Sequence, residues 1–140
     1  MYEMLGRKTS YVTMAFSLTF LILCVTVSPA FALTNAYAPE LHVGATDCFV
    51  GGTSTIDVAF HSTVLIKGST ADVRIGVYDP DGALVADYIV TVTLNKNGHG
   101  GATAPLFTAS APGEYYVYAV VASGPDAGTW AETTFTVWII

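Results

Sequence analysis

From residue 56 onward apolar side chains recur at every second position, the spacing that sends successive side chains to opposite faces of a strand. Ile56, Val58 and Phe60 alternate with Asp57, Ala59 and His61, and Val73, Ile75 and Val77 alternate with Asp72, Arg74 and Gly76. Val90, Val92 and Leu94 share a face opposite Thr91 and Thr93, while Phe135, Val137 and Ile139 share one opposite Thr134, Thr136 and Trp138. Residues 115–121 are apolar on both faces, which predicts a central strand covered on both sides. No stretch beyond residue 32 repeats apolar residues at spacings of three and four over the length of a helix. The runs are separated by GGTS, KGST, DPDG, NKNGHGG, SAPG and SGPDAG, each with the Gly, Pro, Asn or Asp that reverse turns need. The pattern predicts an all-β fold, a single antiparallel β-sandwich of about seven strands.

A different pattern precedes these strands. Arg7 and Lys8 form a short basic region, residues 15–27 an apolar run, and Ser28-Pro29-Ala30-Phe31-Ala32 a small-x-small ending, which together predict a secretory signal helix cut after Ala32. The apolar run is short for a bilayer span, and an uncleaved membrane anchor is the competing expectation. Bulky Ile22 and Leu23 ahead of Cys24 do not suit a lipoprotein cleavage box. The expected organisation is a leader (residues 1–32), an extended N-terminal segment (33–50) and the sandwich (51–140), secreted or held at the cell surface.

Composition narrows the function classes. A chain of 140 residues that is 52% hydrophobic and only 11% charged is a single packed domain and not a disordered one. Its net charge is −6, and beyond residue 32 Lys67, Arg74 and Lys96 face ten acids, so that part carries 3 − 10 = −7. Such acidity argues against nucleic acid and anionic lipid as partners, with a membrane involved only if the leader stays attached. Of the two cysteines only Cys48 lies beyond the leader, which leaves no intrachain disulfide, and burial beside Phe49 and Val50 is its expected state.

Asp79-Pro80-Asp81-Gly82 brings acids closer together than any other stretch. As a reverse turn, Pro80 fixes φ at the second position, Asp81 suits the third and Gly82 takes a positive φ, so the acids serve turn geometry. A calcium site would need further oxygens, with Asp87 and Asp126 as the remaining candidates. His42, His61 and His99 are scattered with no metal-ligand spacing, His61 pointing outward from its strand and His99 near a hairpin tip. No Gly-x-Ser-x-Gly elbow occurs, and Ser54, Ser62, Ser69, Ser110 and Ser123 sit in turn-like surroundings. No enzyme activity, metal or cofactor is expected.

The stretch SAPGEYYVYAVV resembles the entry to the sixth strand of immunoglobulin-like domains, with Ala111, Pro112, Gly113, Glu114 and Tyr115 in the places of the tyrosine corner. The resemblance implies that Tyr115 bonds back to the backbone of the preceding corner. Antibody-type domains carry a cysteine two positions later, and Val117 stands there, so their inter-sheet disulfide is missing. Together with VRIGVYDPDGALV and AETTFTVWI, the stretch looks like the immunoglobulin-like modules of bacterial and archaeal surface proteins, including the macroglobulin type, over about half of the chain. Cupredoxins share the Gly-x-Tyr entry, but their copper-binding cysteine falls on Ala119 and no histidine follows it.

Binding is therefore the expected mode of action. If Tyr115, Val117 and Ala119 face the core, Tyr116 and Tyr118 face away from it, and Trp130 and Trp138 lie off the apolar face of the last strand. These four rings are the candidate site: one aromatic sheet face for a protein partner, for self-association at the cell surface, or for the sugar rings of a polysaccharide. The bland alternative is that the N-terminal segment covers them. The uncharged TFTVWII predicts an open edge strand, and the segment before Gly51 is long enough to complete a neighbour's sheet.

Overall fold

A computed structural model describes residues 38–140; the predicted signal helix, its cleavage point and Cys24 lie outside the described residues. Ten strands are formed: β1 (Glu40–Ala45), β2 (Cys48–Phe49), β3 (Thr53–Ser54), β4 (Ile56–His61), β5 (Thr70–Tyr78), β6 (Leu84–Thr93), β7 (His99–Thr103), β8 (Phe107–Thr108), β9 (Gly113–Val121) and β10 (Trp130–Trp138). Against about seven expected, three of these have only two residues each, too short to leave a period-two trace in the sequence. No helix occurs among the described residues.

A three-stranded sheet runs β1-β4-β7, a five-stranded sheet runs β2-β10-β9-β5-β6, and β3 pairs with β8. The alternation dictates how the two larger sheets meet. Leu41, Ile56, Val58 and Phe60 of one and Val73, Ile75, Val77, Val117 and Phe135 of the other point inward and form a single hydrophobic cluster. Burying these side chains at roughly 1.5–3 kcal/mol each supplies the main driving force, since Cys48, the one cysteine among the described residues, is free. Strand β9, apolar on both faces, lies between β10 and β5, at the centre predicted for it.

The N-terminal segment departs from expectation. Residues 40–49 belong to the sandwich: β1 pairs antiparallel with β4, setting Leu41 opposite Phe60, and β2 pairs parallel with β10. Leu41 is buried and Val43 half-buried, so their burial holds this strand on its own domain. The boundary at residue 51 is thus overturned, as is the purely antiparallel sandwich. The open edge expected at TFTVWII is closed at residues 136–138, where β2 pairs with β10, Thr136 N–H donates to Asp47 Oδ1 at 2.8 Å and Val50 N–H to the Trp138 carbonyl at 2.9 Å. Ile139, expected on the core face, lies past the end of β10 and is exposed. Cys48 sits half-buried at the margin of the core, where burial raises its thiol above the ordinary value, with Asp47 adding to the rise.

Two turn motifs lock together at one end of the sandwich. Tyr115, almost fully buried, donates its hydroxyl to the Ala111 carbonyl at 2.8 Å, the bond that the tyrosine corner implies. In the DPDG turn Gly82 N–H donates to the Asp79 carbonyl at 2.9 Å, Gly82 has φ +87°, and Asp79 Oδ1 accepts from the amides of Asp81 and Ala83. Asp79 thereby spends its carboxylate on its own turn, as the sequence predicts. Pro80 of that turn reaches Gly113, where a Cβ would stand only 2.6 Å from its Cγ; at φ +129° the position demands glycine on both counts.

Candidate functional site

The outer face of the five-stranded sheet is laid out by strand register. One cross-strand row runs Leu84, Tyr78, Tyr116 and Thr134; the next runs Asp87, Gly76, Tyr118 and Glu132; a third runs Ile89, Arg74, Val120 and Trp130. A bulge at Val77/Tyr78 brings Leu84 opposite Tyr78 and leaves Val85 as the extra residue of β6. Neighbouring rows are joined on the diagonal, the reach that long side chains have on one face of a sheet. Tyr118 stacks on Trp130 with ring centroids 5.8 Å apart, Tyr78 tilts against Tyr116 at 5.8 Å, and Tyr116 donates its hydroxyl to Glu132 Oε1.

Gly76 opens a hollow in the middle of these rows. With no side chain there, a cavity of about 310 Å³ lies between Tyr78, Leu84 and Tyr118, with Val120 beneath and Arg74 and Asp87 along one wall. Arg74 binds Asp87 in bidentate fashion, Nε to Oδ1 at 3.1 Å and a terminal nitrogen to Oδ2 at 2.7 Å. Val120 points outward yet is only 1% exposed, so its neighbours roof it over.

On this face Arg74 is set against two carboxylates, Asp87 and Glu132, among tyrosine donors. Burial, reinforced by the bond to Glu132, pushes the Tyr116 phenol far above its ordinary value, so it stays a donor. Burial likewise raises Tyr78. The bond between Arg74 and Asp87 lowers the carboxyl below its ordinary value and raises the guanidinium, keeping both charged.

Three of the four candidate aromatics thus cluster on this face: Tyr116, Tyr118 and Trp130. Trp138 does not join them. It has the same outward parity, but eight residues along β10 separate it from Trp130, a span of roughly 26 Å at the usual strand rise, and its neighbour is Phe49 of β2. Nor does the described part of the N-terminal segment, residues 38–50, cover the face, since β1 lies on the other sheet and β2 on the edge of β10. Sequence reasoning missed Gly76, Tyr78, Leu84 and the Arg74–Asp87 pair. Counting outward from the DPDG turn places Asp87 near Gly76, but nothing local says that Tyr118 comes to lie on the other side.

The remaining acids and histidines fall elsewhere. Asp126 is buried and accepts from Ser62 Oγ at 2.6 Å, Thr63 N–H at 2.9 Å and Thr63 Oγ1 at 2.5 Å, far in role from the exposed ion pair of Asp87. The carboxylates of Asp79, Asp87 and Asp126 therefore serve three separate local structures. Among the described residues no group of three or more His, Cys, Asp or Glu is placed to hold a metal ion. His61 and His99, however, come together: the register sets them opposite each other on β4 and β7, with rings stacked at 3.9 Å. That pairing corrects the expectation of scattered imidazoles.

The sequence matches no family model and no curated protein. Solved structures similar in shape include the CARDB domain of a Pyrococcus furiosus protein, determined in complex with di-metal ions, at TM-score 0.54 and 16% identity, covering 73% of this chain and 94% of that one. Another is the sporulation control protein Spo0M from Bacillus subtilis, at TM-score 0.51 and 11% identity, covering 74% of this chain and 50% of that one. At such identities the likeness is one of fold, and the fold is an immunoglobulin-like β-sandwich.

Proposed function

We propose that this chain is a non-enzymatic, exported domain that acts at the cell surface by presenting the outer face and edge of its five-stranded sheet to a protein partner or to a second copy of itself. The observation that carries the reading is the band of apolar side chains left on that face. Ile89 is 69% exposed on β6, where Leu84 and Val85 are exposed too, and Trp130 is 54% exposed across the sheet on β10. Apolar side chains retained on an outer face, here along β6 and at Trp130 with Arg74 and Val120 between, are kept out of water when a partner covers them. Strand β6 ends the five-stranded sheet, ten residues long and with Asp87 as its one charge, so strand addition suits this edge and not the closed edge of β10. Light scattering on the purified chain tests the reading together with cross-linking on intact cells. Ile89→Lys is expected to abolish both self-association and cross-linked partners. Equal results for the variant and the unaltered chain would sink it.

The hollow favours a second reading, binding of a surface polysaccharide. Planar rings flanking a cavity with a charged donor and acceptor on one wall suit a sugar ring, whose apolar face stacks and whose hydroxyls pair. In a fluorescence titration with polysaccharides, Trp130 reports through its stack with Tyr118, and Trp130→Phe removes the response. A response that survives this variant comes from Trp138 and counts against the hollow.

A further inference from the structure

We propose that the outer face of the three-stranded sheet holds a two-imidazole chelate, His61 with His99, for a borderline transition-metal dication such as Ni²⁺, Cu²⁺ or Zn²⁺. This face lies on the other sheet from the surface argued above, and the inference does not depend on that reading. All three histidines of the chain lie on it, since His42, His61 and His99 share the outward parity of β1, β4 and β7. His61 and His99 are direct cross-strand partners, and their ring centroids are 3.9 Å apart with 17° between the planes.

Two nitrogens bound to one metal at the usual length of about 2.0–2.1 Å are themselves roughly 3–3.5 Å apart. Stacked at 17°, the two rings hold their in-plane lone pairs nearly parallel, so each must swing about its outer torsions to bring a nitrogen to a common point, a short movement between direct cross-strand neighbours. Such torsions are soft in histidine. The backbone beneath is fixed on both sides. Ser62 N–H donates to the Gly98 carbonyl at 2.8 Å, tying the end of β4 to the turn before β7, and His99 N–H donates to Asn95 Oδ1 at 3.0 Å. Little ordering is therefore left for the metal to impose.

The ligand type selects the ion. Imidazole suits nickel, copper and zinc, and leaves Mg²⁺ and Ca²⁺ to oxygen ligands. Glu40 is the register partner of His61 on β1, its carboxylate 4.0 Å from His42 Nε2, and it adds a negative charge to this face. The remaining coordination positions open to water, because His99 is on the exposed side of the sheet. His42 is two positions from Glu40 on β1 and opposite Ala59, one row away from the pair, which makes it the natural control.

The test uses the whole chain without an affinity tag. Titration with NiCl₂ is followed by calorimetry and by NMR of the histidine ring protons, with MgCl₂ as the control ion. One equivalent of Ni²⁺ is expected to bind, broadening the ring signals of His61 and His99 before those of His42. His61→Ala and His99→Ala should each weaken binding about ten-fold or more, whereas His42→Ala should stay within about two-fold. All three positions are on an outer face, and the broadening pattern needs no variant at all. The proposal is overturned if Ni²⁺ does not bind, if the ring signals of His42 broaden first, or if the variant carrying both His61→Ala and His99→Ala binds as the unaltered chain does.

Discussion

On their inner sides the two sheets are chemically alike: Leu41, Ile56, Val58 and Phe60 face Val73, Ile75, Val117 and Phe135, all buried. On their outer sides they diverge. The three-stranded sheet shows water Glu40, His42, Asp57, His61 and His99 beside small residues at positions 44, 59 and 101, whereas the five-stranded sheet shows Arg74, Tyr78, Ile89, Tyr118 and Trp130 around a hollow. Forming a core constrains the inner residues by size and polarity alone, so they say nothing of what the domain does. Outer residues are free of that demand, and large apolar groups retained there point to a role beyond folding. The first sheet has kept imidazoles and the second has kept rings and aliphatic groups, which separates the chemistry of the two faces before any ligand is known.

The strongest test of the shared interior is Phe135→Ala. Its ring stacks on Tyr115 at 5.1 Å and meets Phe107 edge-on at 6.0 Å, and truncation is expected to cost about 3–5 kcal/mol. Urea unfolding followed by tryptophan fluorescence and by circular dichroism should shift by the same amount, because one core serves both sheets. Divergent midpoints would mean that the sheets unfold separately. A smaller effect, about 2–4 kcal/mol, is expected for Asp126→Ala. That carboxylate joins Ser62 and Thr63, just beyond β4, to the loop between β9 and β10, and its loss leaves their buried donors without it. Hydrogen exchange should accelerate first at Thr63, and a uniform acceleration over both sheets would contradict the clamp.

How far the sequence foretells this molecule depends on the range of the interaction. The runs Ile56–His61 and Val73, Ile75, Val77 are legible because burial alone writes period two. The corner at Gly113 and Tyr115 and the turn at Asp79 are legible because their bonds close within four residues. The segment ELHVGA also alternates, Leu41, Val43 and Ala45 against Glu40, His42 and Gly44, and the signal for β1 was present in it. The short strand β2 left none, two residues being less than one full alternation. The hollow and the imidazole pair depend on register between strands distant in sequence. Tyr118 meets Gly76, and His61 meets His99, only after β5 and β6 have crossed to the other sheet and β7 has returned. No local pattern carries that information.

Gly76→Val separates the faces at little expense in stability. The glycine has no positive φ, and the nearest atoms to a Cβ there are the ring edge of Tyr78 at 3.3 Å, Leu84 Cδ1 at 3.4 Å and the Tyr78 hydroxyl at 3.6 Å, side-chain ends that yield by tenths of an ångström. Valine suits a strand, so stability should change by less than about 1 kcal/mol. The hollow should fill. Any polysaccharide response at Trp130 should then disappear while nickel binding at His61 and His99 is unchanged. If the response persists, the ligand does not occupy the hollow.

The smallest effect concerns the ion pair on the hollow's wall. Asp87 is held below its ordinary value of 3.8 by its bond to Arg74, so the folded state binds its proton less readily than the unfolded state does. The resulting stabilisation is fully present above the ordinary carboxylate value and is lost as pH falls through the lowered one. Side-chain exposures of 51% for Arg74 and 38% for Asp87 let solvent screen the pair, which limits its contribution to below about 1 kcal/mol. Asp87→Asn should therefore cost that small amount at pH 7 and close to nothing once the medium is acid enough to protonate Asp87 in the unaltered chain. Added salt should shrink the difference at pH 7 in the same direction. Stability curves for the two proteins that run parallel from neutral to acid pH would show that the bond orients the guanidinium over the hollow without stabilising the fold.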